Sequence, residues 1–139
     1  MKIKLSIALS SLFFAMNIAL ANQTIVINDN SNSSLLSSNN IDSISYYIST
    51  QASGQPLDNI RIYCGKPGGQ FIIPIPSDAA LNTNYYIVAW NCTSGSANTL
   101  NTYDNSVMFT LQNHTHNFNA TCGLQNYNGV KLVCSTPPQ

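Results

Sequence analysis

The sequence predicts an all-β protein, an antiparallel β-sandwich or small barrel of about seven to eight short strands stabilised by two disulfides. Short runs of β-branched and aromatic residues are separated by turn residues at near-regular spacing. Hardly any segment has the hydrophobic periodicity of a helix. Four cysteines follow an N-terminal segment typical of secreted proteins.

The N-terminal segment, Met1–Ala21, has the features of a secretory signal peptide. Basic residues precede an apolar run that ends at the small-residue site Ala19-Leu20-Ala21. The competing interpretation is a membrane anchor, but the run is short and contains serine and asparagine. We therefore expect cleavage after Ala21, a single domain over residues 22–139, and a secreted or periplasmic location.

The first half of the domain is predicted to contain three strands. Thr24–Ile27 is a β-branched run, whereas residues 29–40 are rich in Asn and Ser and are predicted to form a polar loop. Ile41–Thr50 alternates between apolar and mostly hydroxyl side chains, which predicts a half-buried strand. Leu57–Cys64 alternates in the same way, and the glycine-rich residues 65–69 then form a turn.

The second half continues with an extended apolar run over Gln70–Pro76. Pro74 has no N–H to donate to a ladder, so this run belongs at a sheet edge or a bulge. Tyr85–Cys92 has the strongest strand signal. A polar loop, a strand over Ser106–Leu111, a corner and a closing hairpin follow, and the last residues, 135–139, are expected to fray.

The closing hairpin indicates how the cysteines pair. A two-residue loop at Asn128-Gly129 would place Cys122 and Cys134 on opposite faces of the ribbon. A three-residue loop that starts at Tyr127, with Gly129 left-handed, places the two cysteines directly opposite each other. A hydrogen-bonded position would be a tight fit for such a bridge.

The remaining cysteines, Cys64 and Cys92, are then left to form the second disulfide. The alternative use of the four cysteines is a zinc site with four thiolate ligands. No two cysteines have the C-x2-C spacing of such sites, and a secreted chain is exposed to oxidising conditions. The sequence therefore favours the pairs Cys64–Cys92 and Cys122–Cys134.

Charge is scarce in the predicted mature chain. The whole sequence has five Lys and Arg and five aspartates with no glutamate, and removal of Lys2 and Lys4 leaves a net charge of −2. Binding to nucleic acid or to an anionic membrane requires clustered Lys and Arg. We expect neither kind of partner, and a polar surface of amides and hydroxyls suits protein or neutral glycan partners.

Catalytic signatures are missing from the sequence. There is no G-x-S-x-G motif, the aspartates are well separated, and the cysteines are assigned to bridges. We therefore expect no enzymatic activity and no cofactor.

His114 and His116 are the only histidines and form the candidate metal site. In an extended segment, residues two apart project on the same side, so both imidazoles are able to bind one copper or zinc ion. A third ligand has no evident source in the sequence. A polar corner without metal is the simpler interpretation.

Three tyrosines form the candidate binding face. If Trp90 and Cys92 face inward, then Tyr47, Tyr63 and Tyr85 all face outward. Flat apolar rings with hydroxyl groups suit stacking on sugars or contact with a protein. The simpler interpretation is that these rings favour strands or pack the second sheet.

The sequence as a whole indicates a secreted or periplasmic binding module without catalytic activity. Another protein is the expected partner, engaged through an edge strand such as Phe71–Ile75 or through the tyrosine face. A carbohydrate-binding module and a metal-binding protein are the alternatives. Inhibitor, adhesin and assembly subunit are all compatible with the protein-partner hypothesis.

Overall fold

The computed structural model describes residues 23–57, 62–93, 104–115 and 117–135. The predicted signal peptide and residues 136–139 of the predicted tail lie outside these ranges. Among the described residues, no helix is long and apolar enough to cross a bilayer. The elements of the described residues are β1 (Thr24–Asp29), α1 (Ser33–Ser38), β2 (Ile44–Ser49), β3 (Gln70–Pro74), β4 (Thr83–Asn91), β5 (Ser106–Leu111), β6 (Phe118–Asn126) and β7 (Val130–Cys134).

The strands form two sheets, which confirms the predicted fold class. One sheet has the order β3-β1-β6-β7 and the other has the order β2-β4-β5. Four of the strand pairs between these elements are antiparallel, but β1 and β6 run parallel. A parallel pair requires a long crossover connection. The many residues between β1 and β6 provide one, so this departure from a purely antiparallel sandwich is sterically straightforward.

The core lies between the sheets. On β1, Ile25 and Ile27 are fully buried, and on β4 the inward residues are Tyr85, Ile87 and Ala89. These residues alternate along their strands, as expected for a sandwich. Trp90 lies at the opposite parity of β4 and contacts Tyr47 on the outward face of β2, with ring centroids 6.1 Å apart.

Strand β2 is buried on both faces, so the predicted half-buried strand is wrong. Tyr46 and Ile48 belong to the core, while the outward residues Ser45 and Tyr47 are covered by loops. The Tyr47 hydroxyl donates to the Gly54 carbonyl over 2.8 Å, and Ser45 Oγ donates to the Tyr63 carbonyl over 2.7 Å. The loops on either side of residues 58–61 therefore form a third layer over this sheet.

Helix α1 occurs where a polar loop was predicted. The Asn32 side chain caps it by accepting a hydrogen bond from the Leu35 N–H over 2.9 Å. Leu35 and Leu36 are buried in the core cluster. Serine is a weak helix former, so the stability of this helix comes from the cap and the two buried leucines and not from its composition.

The closing hairpin has the predicted three-residue loop, in which Asn126 pairs with Val130 and Cys122 pairs with Cys134. Gly129 has the predicted positive φ, 129°, and Asn128 before it is also left-handed, with φ 54°. The two cysteine Cα atoms are 4.1 Å apart, a spacing typical of a pair that exchanges no hydrogen bonds. The bridge therefore avoids the hydrogen-bonded position that would strain it.

Both predicted disulfides, Cys64–Cys92 and Cys122–Cys134, are present. The predicted strand over Leu57–Cys64 lies partly outside the described residues. Among the described residues after it, Gly65 makes a single antiparallel bridge with Ile44. The glycine-rich segment then turns as predicted, with the Gly69 N–H donating to the Lys66 carbonyl over 3.3 Å.

Removal of the hairpin disulfide is expected to destabilise the fold. The bridge joins residues that are 12 apart in sequence. The double change Cys122→Ala and Cys134→Ala should therefore lower the free energy of unfolding by about 3 kcal/mol, as measured by urea denaturation. The disulfide Cys64–Cys92 closes a longer loop. The double change Cys64→Ala and Cys92→Ala should therefore lower the free energy of unfolding by about 3.5 kcal/mol. A hairpin variant as stable as the wild type would contradict this expectation.

Candidate functional site

The three candidate tyrosines do not share an exposed face. Tyr63 is 61% exposed, whereas Tyr47 is 1% exposed and Tyr85 is 5% exposed. The premise that Trp90 and Cys92 face inward is wrong, because the opposite parity of β4 forms the core. Tyr85 therefore packs on Phe109 inside the sandwich, and Tyr47 packs under the outer loops.

The histidine pair is only half described. His116 lies outside the described residues, and His114 Nδ1 is a buried atom without a hydrogen-bond partner in the structure. The described ranges contain no group of three His, Cys, Asp or Glu residues arranged to hold a metal ion. Copper or zinc binding at His114 and His116 stays a prediction.

Strand β3 lies at the edge of the four-stranded sheet, as Pro74 predicts. Its pairing with β1 is bracketed by a bond from the Ile75 N–H to the Gln23 carbonyl (2.7 Å) and one from the Asp29 N–H to the Gly69 carbonyl (3.0 Å). Since hydrogen-bonded pairs alternate along an antiparallel ladder, Phe71 and Ile73 direct their backbone groups at β1.

The alternate residues of β3 direct their backbone groups away from β1. Gln70 and Ile72 each present an N–H and a C=O, and Pro74 presents a C=O alone. No hydrogen bond from the described part of the chain reaches these five backbone groups. They form a free strand edge that ends at Pro74.

A groove with a volume of about 530 Å³ runs along this edge. One wall is β3 itself, and the other is the segment from Tyr63 to Lys66. Ile72, which is 60% exposed, and Tyr63 provide apolar surface at its rim, while Tyr46 and Phe71 line it more deeply. The groove is therefore largely apolar and is flanked by unpaired backbone groups.

The wall formed by residues 63–66 is held by sheet and disulfide. Gly65 exchanges two backbone hydrogen bonds with Ile44, of 2.8 and 2.9 Å. Cys64 is bonded to Cys92 at the end of β4. This wall is therefore attached to the three-stranded sheet, so the groove lies at the seam between the two sheets.

The opposite seam is bridged. There the Leu132 N–H donates to the Asp104 carbonyl over 2.8 Å, and Lys131 forms an ion pair with the same aspartate. A strand-like contact thus joins the chain just before β5 to β7. The seam beside β3 instead has a groove along the unpaired strand edge.

A buried carboxylate lies beneath the groove. Asp29 is 8% exposed and accepts hydrogen bonds from the Tyr46 hydroxyl (2.5 Å), Ser31 Oγ (2.7 Å) and the Gly68 N–H (2.6 Å). Tyr46 also packs edge-on against Phe71, with ring centroids 5.2 Å apart. Burial and the neighbouring Asp29 raise the pKa of the Tyr46 phenol well above its usual range.

The described lining of the groove contains one ammonium group. Lys66 is exposed and is the sole Lys, Arg, Asp or Glu among the described residues that line the groove. The ion pair between Lys131 and Asp104 lies at the other seam. The end of the groove where β3 begins therefore has an exposed ammonium group close to the buried, hydrogen-bonded carboxylate of Asp29.

The sequence named the strand but not the groove. It placed Phe71–Ile75 at an edge, whereas Tyr63 and Lys66 were not recognised as its opposite wall. The position of Pro74 also indicates which residues form the free edge, because the nitrogen of an edge proline points away from the neighbouring strand. Ile72 has the same parity as Pro74, so its N–H also points away from β1. Its side chain lies on the solvent-facing side of the sheet, where it is 60% exposed.

No family model, curated protein or solved structure matches this chain.

We expect the change Tyr46→Phe to destabilise the protein at neutral pH. It removes one donor from a buried carboxylate, a loss of about 1.5–3 kcal/mol in the free energy of unfolding. Tyr127→Phe is the matched control, because this tyrosine is 64% exposed, and it should change stability little.

The stabilisation by Tyr46 should also depend on pH. The folded pKa of Tyr46 is raised, so its contribution is complete below the unfolded pKa of about 10 and is lost as pH rises further. The difference in unfolding free energy between wild type and Tyr46→Phe should shrink by about 1.4 kcal/mol per pH unit above 10. Urea denaturation between about pH 8 and about pH 11.5, a range that spans the ordinary tyrosine pKa of about 10, measures this difference. A constant difference would contradict the role of burial.

Proposed function

We propose that this chain is a secreted or periplasmic binding module without catalytic activity, which binds another protein by adding an extended segment of that protein to β3. The observation that carries the proposal is the free edge of β3, where Gln70, Ile72 and Pro74 point unpaired backbone groups into solvent beside the groove.

The form of this edge favours a polypeptide partner. An exposed strand edge is a template for pairing with another chain, and backbone hydrogen bonds supply much of the affinity in such complexes. The N–H and C=O groups recur at every second residue, which is the spacing of a second strand. A strand added here has the apolar groove beneath its side chains, with Tyr63 and Phe71 among the contacts.

The rigidity of the edge supports the same function. β3 is paired with β1 along its whole length, and the opposite wall is fixed by the disulfide Cys64–Cys92. A preformed site loses less conformational freedom on binding. Asp29, the buried carboxylate nearby, is already hydrogen-bonded to three donors, which is a structural role.

The proposed compartment rests on the two disulfides and the signal-like N-terminus. Two disulfides indicate an oxidising compartment. The segment Met1–Ala21 then suggests export as the route to it.

The change Ile72→Pro should abolish partner binding while leaving the fold intact. It removes an N–H that points away from β1, so the ladder within the sheet is kept and the edge loses a central donor. Ile72→Ala is the matched control, because it removes the exposed side chain but keeps the N–H. Oxidised protein of residues 22–139 would be immobilised and exposed to culture-medium and envelope extracts, with bound proteins quantified by mass spectrometry.

We expect a saturable protein partner that wild type and Ile72→Ala retain and Ile72→Pro loses by at least about tenfold. Thermal unfolding should show that the proline variant is folded. Ile73→Pro, which removes a donor to β1, should unfold at a much lower temperature. Equal capture by Ile72→Pro and wild type, or capture of no protein, would overturn the proposed function.

A further inference from the structure

We propose that the bound segment runs antiparallel to β3 and carries a carboxylate at its C-terminal end, where Lys66 binds it. This inference rests on the proposed function and specifies the chemistry of the partner.

The position of Lys66 fixes which end of the segment it meets. Lys66 begins the turn that leads into β3, and the Gly69 N–H donates back to its carbonyl. The turn is anchored by the bond from the Gly68 N–H to the Asp29 carboxylate. The lysine therefore lies at the Gln70 end of the groove, and a segment antiparallel to β3 reaches it with its C-terminal residues.

Lys66 forms no ion pair with a described residue, and the nearby carboxylate of Asp29 is buried and already bound by three donors. The described lining contains no Asp or Glu, and the ion pair of the described residues lies across the molecule at Lys131. A rim charge of this kind favours a partner group of opposite sign and steers its approach. A carboxylate is the anionic group that a polypeptide supplies without modification, either as Asp or Glu or as its C-terminus.

The antiparallel direction follows from how short the edge is. In an antiparallel pair, the partner residues opposite Gln70 and Ile72 each satisfy an N–H and a C=O, and the residue opposite Pro74 donates once. In a parallel pair, each residue of β3 bonds to the two partner residues that flank the one opposite it. A parallel segment must therefore order more residues to form the same five hydrogen bonds. Ordering fewer residues costs less conformational entropy.

The side-chain pattern of the segment follows from the same register. Partner residues opposite Phe71 and Ile73 point toward the space between the sheets, where the groove is lined by apolar side chains. Partner residues opposite Ile72 point to the solvent-facing side of the sheet. The expected segment therefore alternates polar and apolar residues before its carboxylate.

The probes are three short peptides, acetylated and amidated so that their termini carry no charge. Each repeats threonine and valine as Thr-Val-Thr-Val-Thr. One ends in Asp at the C-terminus, the second ends in Asn there, and the third carries Asp at the N-terminus instead. Isothermal titration calorimetry with the oxidised chain of residues 22–139 measures their affinities, and wild type is compared with Lys66→Glu and Ile72→Pro.

Wild type should bind the peptide with C-terminal Asp roughly two- to fivefold more tightly than either of the others, a ratio typical of one rim ion pair. Lys66→Glu should lose this preference and should favour a fourth peptide that ends in Lys. Ile72→Pro should bind none of them, because the edge itself is blocked.

Each other outcome contradicts a stated part of the proposal. Equal binding of the Asp and Asn peptides would overturn the role of Lys66 and leave the proposed function standing. Preference for the N-terminal Asp would overturn the antiparallel direction. No peptide binding by wild type would overturn both this inference and the proposed function. A protein dimer in sedimentation, lost in Ile72→Pro, would identify a second copy of the chain as the occupant instead.

Discussion

The hydrogen bonds to the buried carboxylate of Asp29 hold together three parts of the chain. Tyr46 reaches it from the three-stranded sheet, Gly68 from the turn before β3, and Ser31 from the segment that follows β1. A buried carboxylate is costly unless its oxygens are hydrogen-bonded. Moving any one segment would leave it undersatisfied. The stacking of the sheets at this end, and the start of the free edge, therefore depend on one side chain.

The two disulfides act on different parts of this arrangement. Cys122–Cys134 ties the ends of the last hairpin within the four-stranded sheet, whereas Cys64–Cys92 fastens the wall of the groove to β4. The chain has few charges, so its parts are held together by the two disulfides and by buried hydrogen bonds such as those to Asp29, with little contribution from ion pairs. One seam of the sandwich is bridged, whereas the other has a groove beside the unpaired edge of β3.

Much of this fold was predictable because residues close together in sequence determine the turns and the strand edges. The hairpin register followed from Asn128-Gly129 and the cysteine spacing, and the edge position of β3 followed from Pro74. The orientation of β4 was not predictable, since both faces carry large apolar residues: Tyr85 and Ile87 face the core, while Val88 and Trp90 lie beneath the outer loops. Helix α1 depends on a cap and on burial rather than on composition. The role of Asp29 is mainly tertiary, because two of its three partners, Tyr46 and Gly68, are distant in sequence.

Pro74 also bears on the colloidal behaviour of the protein. A long, flat strand edge nucleates fibrils, for which segments of about six uninterrupted residues are the usual requirement. Here the proline removes a donor and ends the exposed ladder after two complete residues, Gln70 and Ile72. The edge offers five backbone groups to the proposed segment but is too short to propagate a cross-β stack. Because the chain has little net charge to keep molecules apart, Pro74 is expected to limit edge-to-edge association between copies.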